Sequence, residues 1–184
     1  MIRVLDRDGV IVASCAANLA AYSEASDKTG LGFDKVALEE SIHNGDSIEE
    51  FRELVWGKIS DVAFRRLKSA KTECFPKFLS LIQVNSIWHE KILISPNDFY
   101  LATKASIEST RFLIHALIPE FNTTHIFSTQ NSEFNSKVEI LKKVSQLNSI
   151  SMDGLIFYDD SFQTIRLVKE AGFQAELVKH FCGH

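Results

Sequence analysis

The sequence is poor in chain breakers, with only 3 prolines and 8 glycines in 184 residues. That excludes a collagen-like chain and, with 45% hydrophobic residues, a disordered one. Positive charge is not in excess either. The formal net charge is −4, so no overall positive field draws nucleic acid to the molecule. No apolar run approaches the ~20 residues that span a bilayer as a helix. Cysteine occurs 3 times, as Cys15, Cys74 and Cys182, in an odd number and without any CxxC spacing. This excludes a disulfide framework and a zinc finger, and predicts free thiols in a reducing compartment. The segment GVIVASCAANLAA (9–21) has the apolar character of a signal peptide. Asp6, Arg7 and Asp8 precede it, however, where a basic segment belongs, so the expected location is cytoplasmic.

What is present is a globular composition of a length that suits one domain, or one core with a modest insertion. Residues 2–6, IRVLD, read as a short buried strand ending in a carboxylate. From about residue 14 to residue 90 the pattern is helical. Ser47 and Glu50 form a capping-box signature. Behind it Ile48, Phe51, Val55, Ile59 and Val62 recur at helical spacing, with Gly57 as a candidate break. Residues 74–96 mix aromatic and β-branched residues and give no clear assignment.

The later half alternates. A helix is expected over 104–118, stopped by Pro119, followed by a strand at 124–129 (THIFST). Next comes a helix with Phe134, Val138, Leu141, Val144 and Leu147 on one stripe. A strand at 154–161 (GLIFYDDS), a helix from Ser161 to Gly172 and a strand at 173–178 complete the chain. Strand–helix alternation predicts an α/β fold with a Rossmann-like parallel sheet. The expected division is a core of residues 1–13 and 91–184 with a helical insertion over 14–90. In such sheets function collects beyond the carboxyl ends of the strands.

Asp6 and Asp8 follow one strand, and Asp159 and Asp160 another. If these strands are neighbours, several carboxylates share one crevice, and their repulsion calls for a cation. Mg²⁺ suits hard oxygen ligands of this kind. Lys137 could bring a second positive charge. A carboxylate can also attack a phosphoryl group, and a second acid can protonate the leaving oxygen and later activate water. Period-two geometry would put Asp6 and Asp8 on one side and point Arg7 away from both.

DRDGV resembles the first motif of the haloacid dehalogenase-like (HAD) hydrolases, HIFST the second, Lys137 the third and FYDDS the fourth. The resemblance implies a Mg²⁺-dependent phosphatase acting on a small phosphorylated substrate. Asp6 would be nucleophile and metal ligand. Asp8 would be general acid/base, with its backbone carbonyl on the metal. Lys137 would neutralise charge, Ser128 or Thr129 would bind the phosphoryl group, and Asp159 or Asp160 would complete the metal site. It also implies that the helical insertion is a cap that selects substrate. Thr129 and Lys137 are 8 positions apart, which leaves no room for another strand and helix and predicts a trimmed core.

A phosphomutase would use the same residues, and a catalytically idle binding or regulatory protein could keep the fold. No nucleic-acid or membrane partner is expected. Several residues have plainer readings. Asp160 could simply cap the next helix. Arg65, Arg66, Lys68 and Lys71 suit a solvated helix face, and Trp56 and Trp88 suit packing. His180 and His184 lie in a tail expected to fray.

Overall fold

The computed structural model describes residues 1–44, 48–130 and 133–182. They form two units. The sheet unit comprises Met1–Ala13 and Val84–His184, and the helical unit comprises Ser14–Gln83. The chain leaves the first through a short strand, β2 (Val12–Ala13), and returns through another, β3 (Gln83–Val84).

The main sheet has five strands. They are β1 (Ile2–Leu5), β4 (Phe99–Thr103), β5 (Ile126–Ser128), β6 (Leu155–Asp159) and β7 (Gln174–Leu177), in the order β5-β4-β1-β6-β7. Every pairing is parallel. The sequence expectation of a parallel α/β sheet therefore holds. β1 lies at the switch point, with the next strand in sequence on one side and a later strand on the other. Ligands of open α/β sheets bind at such points.

Helices α6 (Ile107–Leu117), α7 (Lys137–Leu147) and α8 (Phe162–Glu170) connect the later strands. Alternation along each strand puts Val4, Ala102, Leu155 and Phe157 on one face. There they pack with Ile140, Leu141 and Val144 of α7 and Ile165 and Val168 of α8. The α7 stripe differs from its expected composition. Ile140 is fully buried, whereas Leu147 at the last turn is 56% exposed. Helix α5 (Ser86–Ile94) straddles the expected boundary at residue 90 but belongs to the sheet unit. Its Trp88 stands edge-on to Phe99 and Tyr158, and its Ile92 is fully buried.

β4 falls between the unassigned stretch, which ends at residue 96, and the helix expected from residue 104. All five of its residues are buried, as expected of a strand with neighbours on both sides. Both α6 and β5 lie between Thr103 and Lys137, so the core is not trimmed.

The helical unit holds α1 (Cys15–Thr29), α2 (Lys35–Asn44), α3 (Ile48–Trp56) and α4 (Asp61–Cys74). Ser47, the expected cap, lies outside the described residues. Gly57 does break the periodic stretch, at φ +67°, and Ser60 caps α4 by accepting from Ala63 N–H. The break resets the helical phase, so Val62 is exposed while Phe64 and Leu67 are buried. Trp56 packs between Tyr22 and Phe64, and its indole N–H donates to Ser26 Oγ at 3.0 Å. Lys68 pairs with Glu49, and Lys71 lies over the Tyr22 and Phe75 rings. Both lysines thus have partners within this unit.

Ser26→Ala is expected to cost about 1–3 kcal/mol, because it strands a buried donor. Urea denaturation checks this. An unchanged midpoint would mean that the indole finds another acceptor. Among the described residues no helix is long and apolar enough to cross a membrane.

Candidate active site

Asp6 continues the β1 ladder, its N–H donating to Tyr158 O at 2.9 Å. Register alone therefore brings the carboxyl ends of β1 and β6 together. Lys137 enters from the first turn of α7. Ser136 caps that helix by accepting from Glu139 N–H, and Glu139 reaches back to accept from Asn135 N–H at 2.7 Å. This reciprocal pattern fixes the start of α7, and Lys137 with it. Lys137 Nζ donates to Asp6 Oδ1 and to Asp159 Oδ2, each at 2.7 Å. Asp6, Lys137 and Asp159 are all buried.

Burial pushes the Asp6 carboxyl up to about 6, with Lys137 opposing and the Asp159 and Asp8 charges adding to the rise. For Lys137, burial alone would favour the neutral amine, but Asp6 and Asp159 outweigh it and hold the group protonated well above the usual lysine range.

Carboxylate oxygens of Asp6, Asp159 and Asp160 lie within 4.8 Å of one another. Lys137 bonds to Asp6 and Asp159. Convergent hard oxygen donors of this kind are a donor set that suits Mg²⁺.

Several sequence expectations change here. β1 ends at Leu5, and the chain then turns tightly: Gly9 N–H donates to Val12 O, and Ile11 and Val12 N–H both donate to Arg7 O. Strand alternation therefore does not extend through residues 6–8. Arg7 points not away from the acids but to Asp8, donating from Nε to Oδ2 at 2.9 Å and from Nη1 to Thr110 Oγ1 at 2.9 Å. The Asp8 carboxylate rests on this buried guanidinium and is not one of the three convergent acids.

Asp160 does not cap α8. Ser161 does so, accepting from Thr164 N–H, while Asp159 Oδ1 accepts from Ser161 N–H at 2.8 Å. Asp160 instead meets His180. The tail is docked at this point, with Phe181 N–H donating to Gly9 O at 2.7 Å. His184 lies outside the described residues.

Ser128 ends β5 and Thr129 follows it, two strands from β1 and so roughly 10 Å away. Ser128 is buried, donates to Ala105 O and accepts from Gln130 N–H, which engages its hydroxyl. The hydroxyl beside β1 is that of Thr103, at the carboxyl end of β4. It accepts from Ala105 N–H at 3.1 Å and keeps its own hydrogen for a further acceptor. The sequence did carry a signal for it: FYLAT is an apolar run ending in a hydroxyl, like HIFST. Nothing local marked Arg7 or His180.

No family model matches the sequence, and neither does any curated protein sequence. Solved structures do match the fold. A haloacid dehalogenase-like family hydrolase from Streptococcus pneumoniae superposes with a TM-score of 0.73 at 14% identity, over 95% of this chain and 82% of that one. CbbY from Rhodobacter sphaeroides, solved in complex with xylulose-1,5-bisphosphate, gives 0.75 at 16% identity, over 100% and 89%. A HAD-superfamily hydrolase from Geobacter sulfurreducens gives 0.62 at 20% identity, over 95% and 84%. The chain has the fold of the HAD-like hydrolases.

Proposed function

We propose that this protein is a Mg²⁺-dependent phosphatase that hydrolyses a small phosphomonoester through an aspartyl-phosphate on Asp6. The carrying observation is Lys137, whose ammonium joins Asp6 and Asp159 at 2.7 Å each and so ties three elements into one buried charged centre. The fold shared with HAD-like hydrolases supports the same reading.

Asp6, Asp159 and Asp160 would hold Mg²⁺, with the Asp8 backbone carbonyl. When bound, the ion supplies positive charge at the phosphoryl oxygens. The Asp6 carboxylate attacks phosphorus and the ester oxygen leaves, taking a proton from Asp8. Water, giving a proton to Asp8, then attacks phosphorus, the bond to Asp6 breaks, and inorganic phosphate leaves with the Asp6 carboxylate restored. Lys137 stays protonated and balances negative charge throughout. Thr103 takes the part that the sequence resemblance gave to Ser128 or Thr129, donating its hydroxyl hydrogen to a phosphoryl oxygen. The helical unit, inserted directly after the Asp6–Asp8 segment, is assigned to substrate selection, as a cap.

Release of inorganic phosphate from a panel of aryl and sugar phosphates, with and without Mg²⁺, tests the proposal. Mg²⁺-dependent turnover of at least one ester is expected. No turnover across the panel would favour the idle binding protein. Transfer of phosphate to a second substrate hydroxyl in place of water would favour a phosphomutase.

The hydroxyl assignment has its own test. Thr103→Val keeps the shape and is expected to lower kcat/KM by roughly 10²-fold, the scale of one lost transition-state donor. Ser128→Ala should stay within a few-fold of the unaltered protein. The reverse ranking would return the role to β5.

A further inference from the structure

The last described residues approach the site at successive points. Val178 N–H donates to Asp159 O at 3.0 Å, extending the β7 ladder past its end. His180 Nδ1 meets Asp160 Oδ2, and Phe181 N–H donates to Gly9 O at 2.7 Å. The tail therefore touches the two acids that end β6 and the turn that carries Asp6 and Asp8. Gly9 shows that this approach is built into the turn. Its φ is +73°, and a Cβ there would overlap both the Asp160 carboxylate and the His180 ring.

We infer that His180 is a positioning residue: the C-terminal tail orients the Asp160 carboxylate for the divalent cation. This rests on the proposed Mg²⁺ site. An ionised carboxylate can only accept, so His180 donates from Nδ1. One oxygen is thereby held, and the plane of the carboxylate with it. A carboxylate has about four lone-pair positions, so it can accept this bond and still ligate a cation. Asp160 needs such a partner more than Asp159 does. Asp159 is fixed by Lys137 and by Ser161 N–H, whereas the Asp160 side chain bonds to His180. Partners of ligating groups typically contribute 10–100-fold to metal affinity.

The test is calorimetric titration of the full chain with Mg²⁺, beside its metal-free melting point and its rate of phosphate release. His180→Leu keeps bulk and removes the donor, and a 10–100-fold weaker Mg²⁺ affinity is expected. His180→Asn can place an amide N–H where Nδ1 stood, and affinity should recover to within a few-fold. His180→Ala substitutes for the Leu variant should the latter fail to fold. Leu and Asn variants of equal affinity would overturn the inference and leave the proposed function standing. An unaltered chain that neither binds Mg²⁺ nor releases phosphate would overturn both.

Discussion

Asp6→Asn is expected to abolish phosphate release, by at least roughly 10³-fold, and to make the metal-free protein more stable at pH 7. The first effect follows from removing the attacking oxygen. The second follows from linkage. The Asp6 carboxyl ionises at about 6 in the folded protein, above its ordinary 3.8. Between those values the unfolded chain has released its proton while the folded chain still holds it. Stability therefore falls as pH rises through that window, and the cost is complete above about pH 6. At 1.36 kcal/mol per unit it amounts to roughly 3 kcal/mol. Asparagine resembles the protonated acid and escapes the cost. The two proteins should melt together near pH 4 and diverge towards pH 7, the Asn variant higher. Mg²⁺ should narrow or invert the gap, because it binds the native carboxylate site. Thermal melts across pH, with and without Mg²⁺, check this. An Asn variant that melts lower at pH 7 without metal would show that Lys137 already compensates Asp6 fully.

Lys137→Met carries the second large effect, in the opposite direction. The lysine is buried between Asp6 and Asp159, so its removal leaves two buried carboxylates facing each other without a counter-charge. Breaking a buried pair in this way typically costs about 3–5 kcal/mol. Turnover should fall by at least roughly 10²-fold. Restoring charge balance with Asp159→Asn in the same chain should return part of the stability and none of the activity. Urea denaturation of the single and double variants measures the coupling. Strictly additive effects would mean that Lys137 and Asp159 are energetically independent despite their 2.7 Å contact.

Each acid of the site stands where an apolar run stops, and this was legible locally. IRVL stops at Asp6, and LIFY stops at Asp159 and Asp160. Lys137 could be placed because the apolar stripe of α7 marks where that helix runs. Helical phase was readable only between breaks, which is why Val62 changed sides after Gly57. Thr103 escaped because β4 is buried on both faces and has no alternation to read.

The sequence by itself therefore determined which acids end strands and which lysine starts the helix between them. These are local properties, written in periodicity and in the first residue to break it. Tertiary structure decided the neighbours. β1 pairs with β4 and β6, which follow it by about 95 and 150 residues. That order places Thr103, not Ser128, on the strand beside β1 and brings the tail with His180 back to Asp160. Strand order depends on which faces the connecting helices can cover together, a condition no single segment contains.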